Sequence, residues 1–134
     1  MSHLIQGTVS VKDIEALRKA AATFGATLEA SKTFNSYSGD QNVCEYRIAL
    51  PGVAYQIGAV RQPDGTLVLA HDPYGYANSR HDGHKLVEKF GGGLAKLQAQ
   101  YARQATIRSA KRAGYLVREK TLTDGSFRLQ LVRA

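Results

Sequence analysis

Three histidines and two aspartates crowd one stretch of this chain: His71, Asp72, His81, Asp82 and His84, with Asn78 and Arg80 among them. Neutral imidazole and carboxylate are competent ligands for zinc or iron. The same groups carry protons in general acid–base chemistry. His81 and His84 are three residues apart, a spacing that one helical turn places on one side. No established metal signature has this spacing, and the segment reads as a polar loop between a strand and a helix. The chemistry on offer is a small metal-dependent hydrolase using His71, His81 and His84. The alternative is a solvated connection.

A second candidate is the run Phe90-Gly91-Gly92-Gly93-Leu94-Ala95-Lys96. A glycine turn before a helix exposes N–H groups that suit a phosphate or carboxylate, and Lys96 adds charge. The run lacks the Gly-Lys-Ser/Thr ending of a P-loop. Gly91, Gly92, Gly93 and Lys96 are therefore either an anion site or a hinge between helices. Tyr74 and Tyr76, beside Arg80 and His81, suit a partner interface or base stacking, or they cover a sheet end. Tyr101 falls on an apolar helix stripe, which predicts a core ring with its hydroxyl at the rim. Cys44 alternates with apolar strand residues and reads as a buried, inert thiol.

The last candidates are the basic residues Arg103, Arg108, Lys111, Arg112, Arg118 and Lys120. Residues 1–99 hold ten Lys/Arg and nine Asp/Glu, whereas residues 100–134 hold eight Lys/Arg against Glu119 and Asp124. Nearly all of the net charge of +7 therefore belongs to the last quarter of the chain. Such a concentration attracts phosphates or an acidic protein face, unless it is simply the solvated side of a helix and two strands. On a 3.6-residue helix Arg108 and Arg112 fall close to the apolar stripe. Either the stripe ends by Ala105 and the last turns project, or these stems lie over apolar surface with their heads in water.

These residues need elements to hold them. Residues 6–11 alternate as a first strand. Ser10 reads as the N-cap of a helix whose stripe is Ile14, Leu17, Ala21 and Phe24, with Asp13 near its positive end and Gly25 as its stop. Residues 26–34, 43–50 (Cys44, Tyr46, Ile48 and Leu50 on one face), 55–61 and 66–71 read as strands of an antiparallel meander. Gln62-Pro63-Asp64-Gly65 is a turn within it. Leu86, Phe90, Leu94, Leu97, Tyr101 and Ala105 then recur at helical spacing, interrupted by the glycine run. A long helix from about Leu94 to Ala113 ends at Gly114. Tyr115–Thr121 and Ser126–Val132 form a closing hairpin about Thr123-Asp124-Gly125-Ser126.

The fold class expected is a single α+β domain over residues 1–134. Its order is β-α-β-β-β-β-α-β-β, with one antiparallel sheet and two main helices packed on one face. One cysteine excludes an internal disulfide and a cysteine-based zinc knuckle. No apolar run approaches the ~18 residues of a membrane span, and the N-terminus lacks the pattern of a signal peptide. A cytoplasmic, membrane-free protein is expected, with no cofactor.

Scattered segments carry a resemblance. They are Met1-Ser2-His3, Tyr55-Gln56-Ile57-Gly58, Pro63-Asp64-Gly65 before Leu67-Val68-Leu69, and Asp72-Pro73-Tyr74-Gly75. The run from Tyr101-Ala102 through Gly114-Tyr115 and the segment Asp124-Gly125-Ser126-Phe127-Arg128-Leu129 complete it. The chain resembles a small family of unknown function that includes a conserved hypothetical reading frame of chloroplasts and cyanobacteria, with bacterial and phage relatives. No catalytic residues are established for that family. Its members are often encoded near an ATPase of the ring-forming class, so the resemblance implies an accessory role and such a partner. This chain has Tyr74 where the pattern usually carries tryptophan. It has basic Arg108, Lys111 and Arg112 where relatives are often acidic.

The resulting expectation is a non-enzymatic binding or accessory module in a larger assembly, using Tyr74, Tyr76, Arg80, Arg103, Arg108, Lys111 and Arg112. Nucleic-acid binding through the basic C-terminal quarter is the first alternative. The His71/His81/His84 hydrolase is the second, and a phosphorylated ligand at Gly91–Gly93 the third.

Overall fold

Ten residues, Ile14–Thr23, form helix α1, and its two ends show how local chemistry and tertiary contact divide the work. A computed structural model of the chain describes residues 4–7, 9–36, 41–72, 84–124 and 126–133. The N-cap is Asp13, not Ser10: the Asp13 carboxylate accepts from the Ala16 N–H at 3.1 Å. At the other end Ala26 N–H donates to Ala21 O and Gly25 N–H to Ala22 O, both at 3.0 Å. Gly25 has φ 76°, so this is the glycine-terminated Schellman ending that Gly25 predicted. Ala16, Leu17, Ala20 and Ala21 are buried, and Ile14 and Phe24 pack at the margin.

Around α1 the strands run β1 (Ile5–Gln6), β2 (Thr27–Ala30), β3 (Thr33–Asn35), β4 (Gln41–Val43), β5 (Tyr46–Ala49), β6 (Ile57–Arg61) and β7 (Leu67–His71). Then come α2 (His84–Phe90), a 3-10 turn (Gly92–Leu94), α3 (Ala95–Arg112), β8 (Tyr115–Thr121) and β9 (Phe127–Arg133). The chain is a single α+β domain. Among the described residues the antiparallel pairing is spread over three sheets rather than one: β1-β7-β6-β5-β2, a β3-β4 ribbon and a β8-β9 ribbon. The expected strand at 26–34 divides into β2 and β3, and that at 43–50 into β4 and β5. The first strand is shorter than 6–11, with Val11 returning as an isolated bridge to Leu67.

The divisions have one cause. Between β4 and β5 the chain changes sheets, so the alternation through Cys44 does not continue to Ile48. Ile48 joins Leu17, Ile57, Leu69, Phe90, Leu97 and Tyr101 in the core beneath the helices. Cys44 instead joins Phe34 and Ala70 on the opposite side of the sheet. The β3-β4 ribbon thereby covers the second face, and all five residues of β7 are buried. Phe34 sits directly on Gly58, where an added Cβ would come within 2.3 Å of the ring. Burial pushes the Cys44 thiol up, with the Arg47 charge opposing, in keeping with an inert sulfur.

The glycine run breaks the helical segment as expected. Gly91 and Gly93 have φ of 79° and 62°. Leu94 shares the left-handed conformation at φ 62°, which is strained for a branched residue. Its side chain is 1% exposed, so core burial holds the strained backbone in place.

Candidate functional site: the basic ribbon and the end of the long helix

The expected site residues fall into separate places. Tyr74, Tyr76, Arg80 and His81 lie outside the described residues, as do Asn78 and Asp82. His71 ends β7 and is buried, and burial holds its imidazole below the ordinary range against the pull of Asp72. His84 opens α2. Among the described residues no three His, Cys, Asp or Glu gather into a metal-binding group. At the glycine run, Gly91 N–H donates to Val87 O at 2.9 Å and Leu94 N–H to Gly91 O at 3.1 Å. Ala95 N–H donates to Gly92 O. These three amides close the turn on itself, and Lys96 packs against Gly91 with its backbone N 3.2 Å from where a Cβ would be.

The basic residues of α3 are placed by α1 and by the C-terminal ribbon. Asp13 collects three donors. Besides Ala16 N–H, its Oδ2 accepts from Arg108 Nε at 2.8 Å and from Arg112 Nη2 at 2.9 Å. Burial pushes this carboxyl up, but the Arg108 hydrogen bond, the Ala16 amide and the charges of Arg108 and Arg112 outweigh it. Asp13 therefore sits below the ordinary carboxylate range. Tyr101 completes the junction, its hydroxyl accepting from Lys12 N–H at 2.9 Å and Asp13 N–H at 3.2 Å. The ring is core and the hydroxyl is at the rim, as its place on the stripe predicted. Arg108 and Arg112 thus do not project freely. They lean on the start of α1, while Lys111 lines a shallow cleft of about 300 Å³ with Lys19 and Gln104.

Arg103 fastens the ribbon. Its Nε and Nη2 each lie 2.6 Å from a different oxygen of Glu119, and its guanidinium is 4.9 Å from the centre of the Phe127 ring. Strand alternation and the register Val117↔Leu131, Glu119↔Leu129, Thr121↔Phe127 put these residues on one face. That face meets α3, and Tyr115 and Leu131 line a groove of about 430 Å³ with Ala105, Ser109 and Ala113. A neighbouring groove of about 920 Å³ runs between α3 and the start of α1, past Val9, Lys12, Tyr101 and Thr106.

The opposite face carries Leu116, Arg118 and Lys120 on β8 against Val132, Gln130 and Arg128 on β9. Lys120 and Arg128 stand directly across from one another. Arg118, Lys120 and Arg128 are exposed, and Leu116 is 57% exposed. The ribbon pairs with no other strand among the described residues, so both of its edges are open. Arg128 was absent from the expected site residues. The turn at 123–126 already sets it opposite Lys120, and that pairing was the signal. Glu119 and Phe127 were also missed as anchors, because their partner Arg103 lies in another element.

No protein-family model, curated protein or solved structure matches this chain.

Proposed function

We propose that this protein is a non-enzymatic binding module that docks into a larger assembly through the β8-β9 ribbon and the adjoining end of α3. The observation that carries this reading is the ribbon itself. Among the described residues it packs on α3 and on an arginine-centred cluster, leaves both strand edges open, and exposes Leu116, Leu131 and Phe127. Apolar side chains on an open-edged ribbon are a liability unless a partner covers them. On the resemblance, the assembly would contain a ring-forming ATPase.

The test is a photo-crosslinking residue at Leu116, compared with the same residue at Glu88 on α2, in cells that make the protein. A discrete crosslinked species from position 116 and none from position 88 is expected. Equal or no crosslinking from the two positions would refute the reading.

A further inference from the structure

The outward face of the ribbon is left over once the packing on α3 is accounted for. It holds three cations and no carboxylate, because Glu119 points the other way to meet Arg103. Among the described residues Arg118, Lys120 and Arg128 form no ion pair. Two like charges directly opposite on a strand pair are destabilising. That cost falls on an element with little other packing. Folding alone would favour a carboxylate opposite Lys120. The face is complementary to a polyanion.

We infer that this face binds nucleic acid, with Arg118, Lys120 and Arg128 contacting backbone phosphates. The inference rests on the binding-module reading and names a ligand for the outward face of that module. Three observations favour nucleic acid over an acidic protein. First, a lone two-stranded ribbon is a shape that a major groove about 12 Å wide admits, and seven-residue strands run about 23 Å along it. Second, the middle of the face is Arg118–Gln130 and Lys120–Arg128, while its apolar pair, Leu116–Val132, lies at one end. Tight protein contacts concentrate desolvated anchors at the centre, whereas phosphate contacts need none. Third, two of the three cations are guanidinium groups, whose forked N–H groups grip phosphate in pairs.

The experiment is fluorescence anisotropy of the full chain with a labelled duplex of about 20 base pairs and a single strand of equal length, between about 50 and 200 mM salt. The variant R118A/K120A/R128A should bind about 100-fold more weakly at the low-salt end, with its log–log salt slope flatter by about 2–3. K32A/K85A/K89A removes the same charge from the body and should keep the native slope. Should the ribbon variant lose its melting transition, Arg118→Gln and Arg128→Gln replace it, each flattening the slope by about 1. The inference is overturned if the native chain binds neither probe, if the ribbon variants keep the native slope, or if the body variant weakens equally. A polyglutamate peptide that competes at equal charge would also overturn the nucleic-acid assignment, yet leave the binding module standing. Absence of crosslinking from position 116 would remove that module.

Discussion

Asp13 is one carboxylate with three obligations: it caps α1, receives Arg108 and receives Arg112. Replacing it with Asn keeps a capping oxygen and removes the charge that both guanidinium groups share. The expected loss is about 1–2 kcal/mol at neutral pH, read from urea denaturation, since a partly exposed ion pair is worth about 1 kcal/mol or less and the amide caps nearly as well. The sign of the pH dependence follows from the lowered pKa. A group whose folded pKa is depressed stabilises the fold above its unfolded value and loses that contribution as pH falls through the folded value. The native chain should therefore lose stability on acidification below the ordinary aspartate range, and D13N should show a shallower fall across the same interval. Identical pH profiles would show that the junction carries no linked proton. This residue also marks a limit of reading from sequence. Ser10 and Asp13 are both good caps, and the choice between them rests with Arg108 and Tyr101, which lie far along the chain.

At the scale of elements, what is local is legible. The stripe and glycine end of α1, the break at 91–93 and the closing hairpin all follow from spacing within a few residues. The division of 43–50 does not, because Cys44 looks continuous with Ile48 until the β3-β4 ribbon takes it to the other face. The candidate site was legible in part: the concentration of charge was plain from composition. Which cations were already occupied depended on Asp13 and Glu119, one of them outside the basic segment altogether. Arg103 gives a prediction at this scale. Arg103→Ala should loosen the ribbon from α3 while leaving the body intact. Hydrogen exchange of β8 and β9 amides should quicken by about 10-fold, on the order of the 1.4 kcal/mol expected for a charge-assisted hydrogen bond with a ring contact. Amides of β6 and β7 should exchange at native rates. If ribbon and body quicken together, the two are one cooperative unit.

Over the whole molecule the order is ribbon, sheet, helices, with a second ribbon on the long helix. Gly58 is where the first two layers touch, and Phe34 leaves no room there for a methyl group. Gly58→Ala should cost about 1–3 kcal/mol by forcing Phe34 off its seat, measured as a lowered urea midpoint. Native stability in that variant would mean that the β3-β4 ribbon shifts freely over the sheet. This layering also limits where a partner can reach. Both faces of the central strands are covered by the protein's own chain, and no helix among the described residues is long and apolar enough to cross a membrane. Among the described residues, the C-terminal ribbon is a charged surface left for recognition at the periphery.

The Asp13–Arg108–Arg112 junction joins groups 95 and 99 residues apart. Closing a loop of that length costs about 4 kcal/mol of chain entropy, and nothing local repays it. Forming the meander first would shorten that loop before the two main helices meet. As the chain leaves the ribosome, the residues of α1 are made before the helix that shields its apolar stripe. The C-terminal ribbon, by contrast, needs only the helix that immediately precedes it. A chain that stops before residue 101 lacks most of the roof over one side of the sheet, and with it the Tyr101 contact to the start of α1.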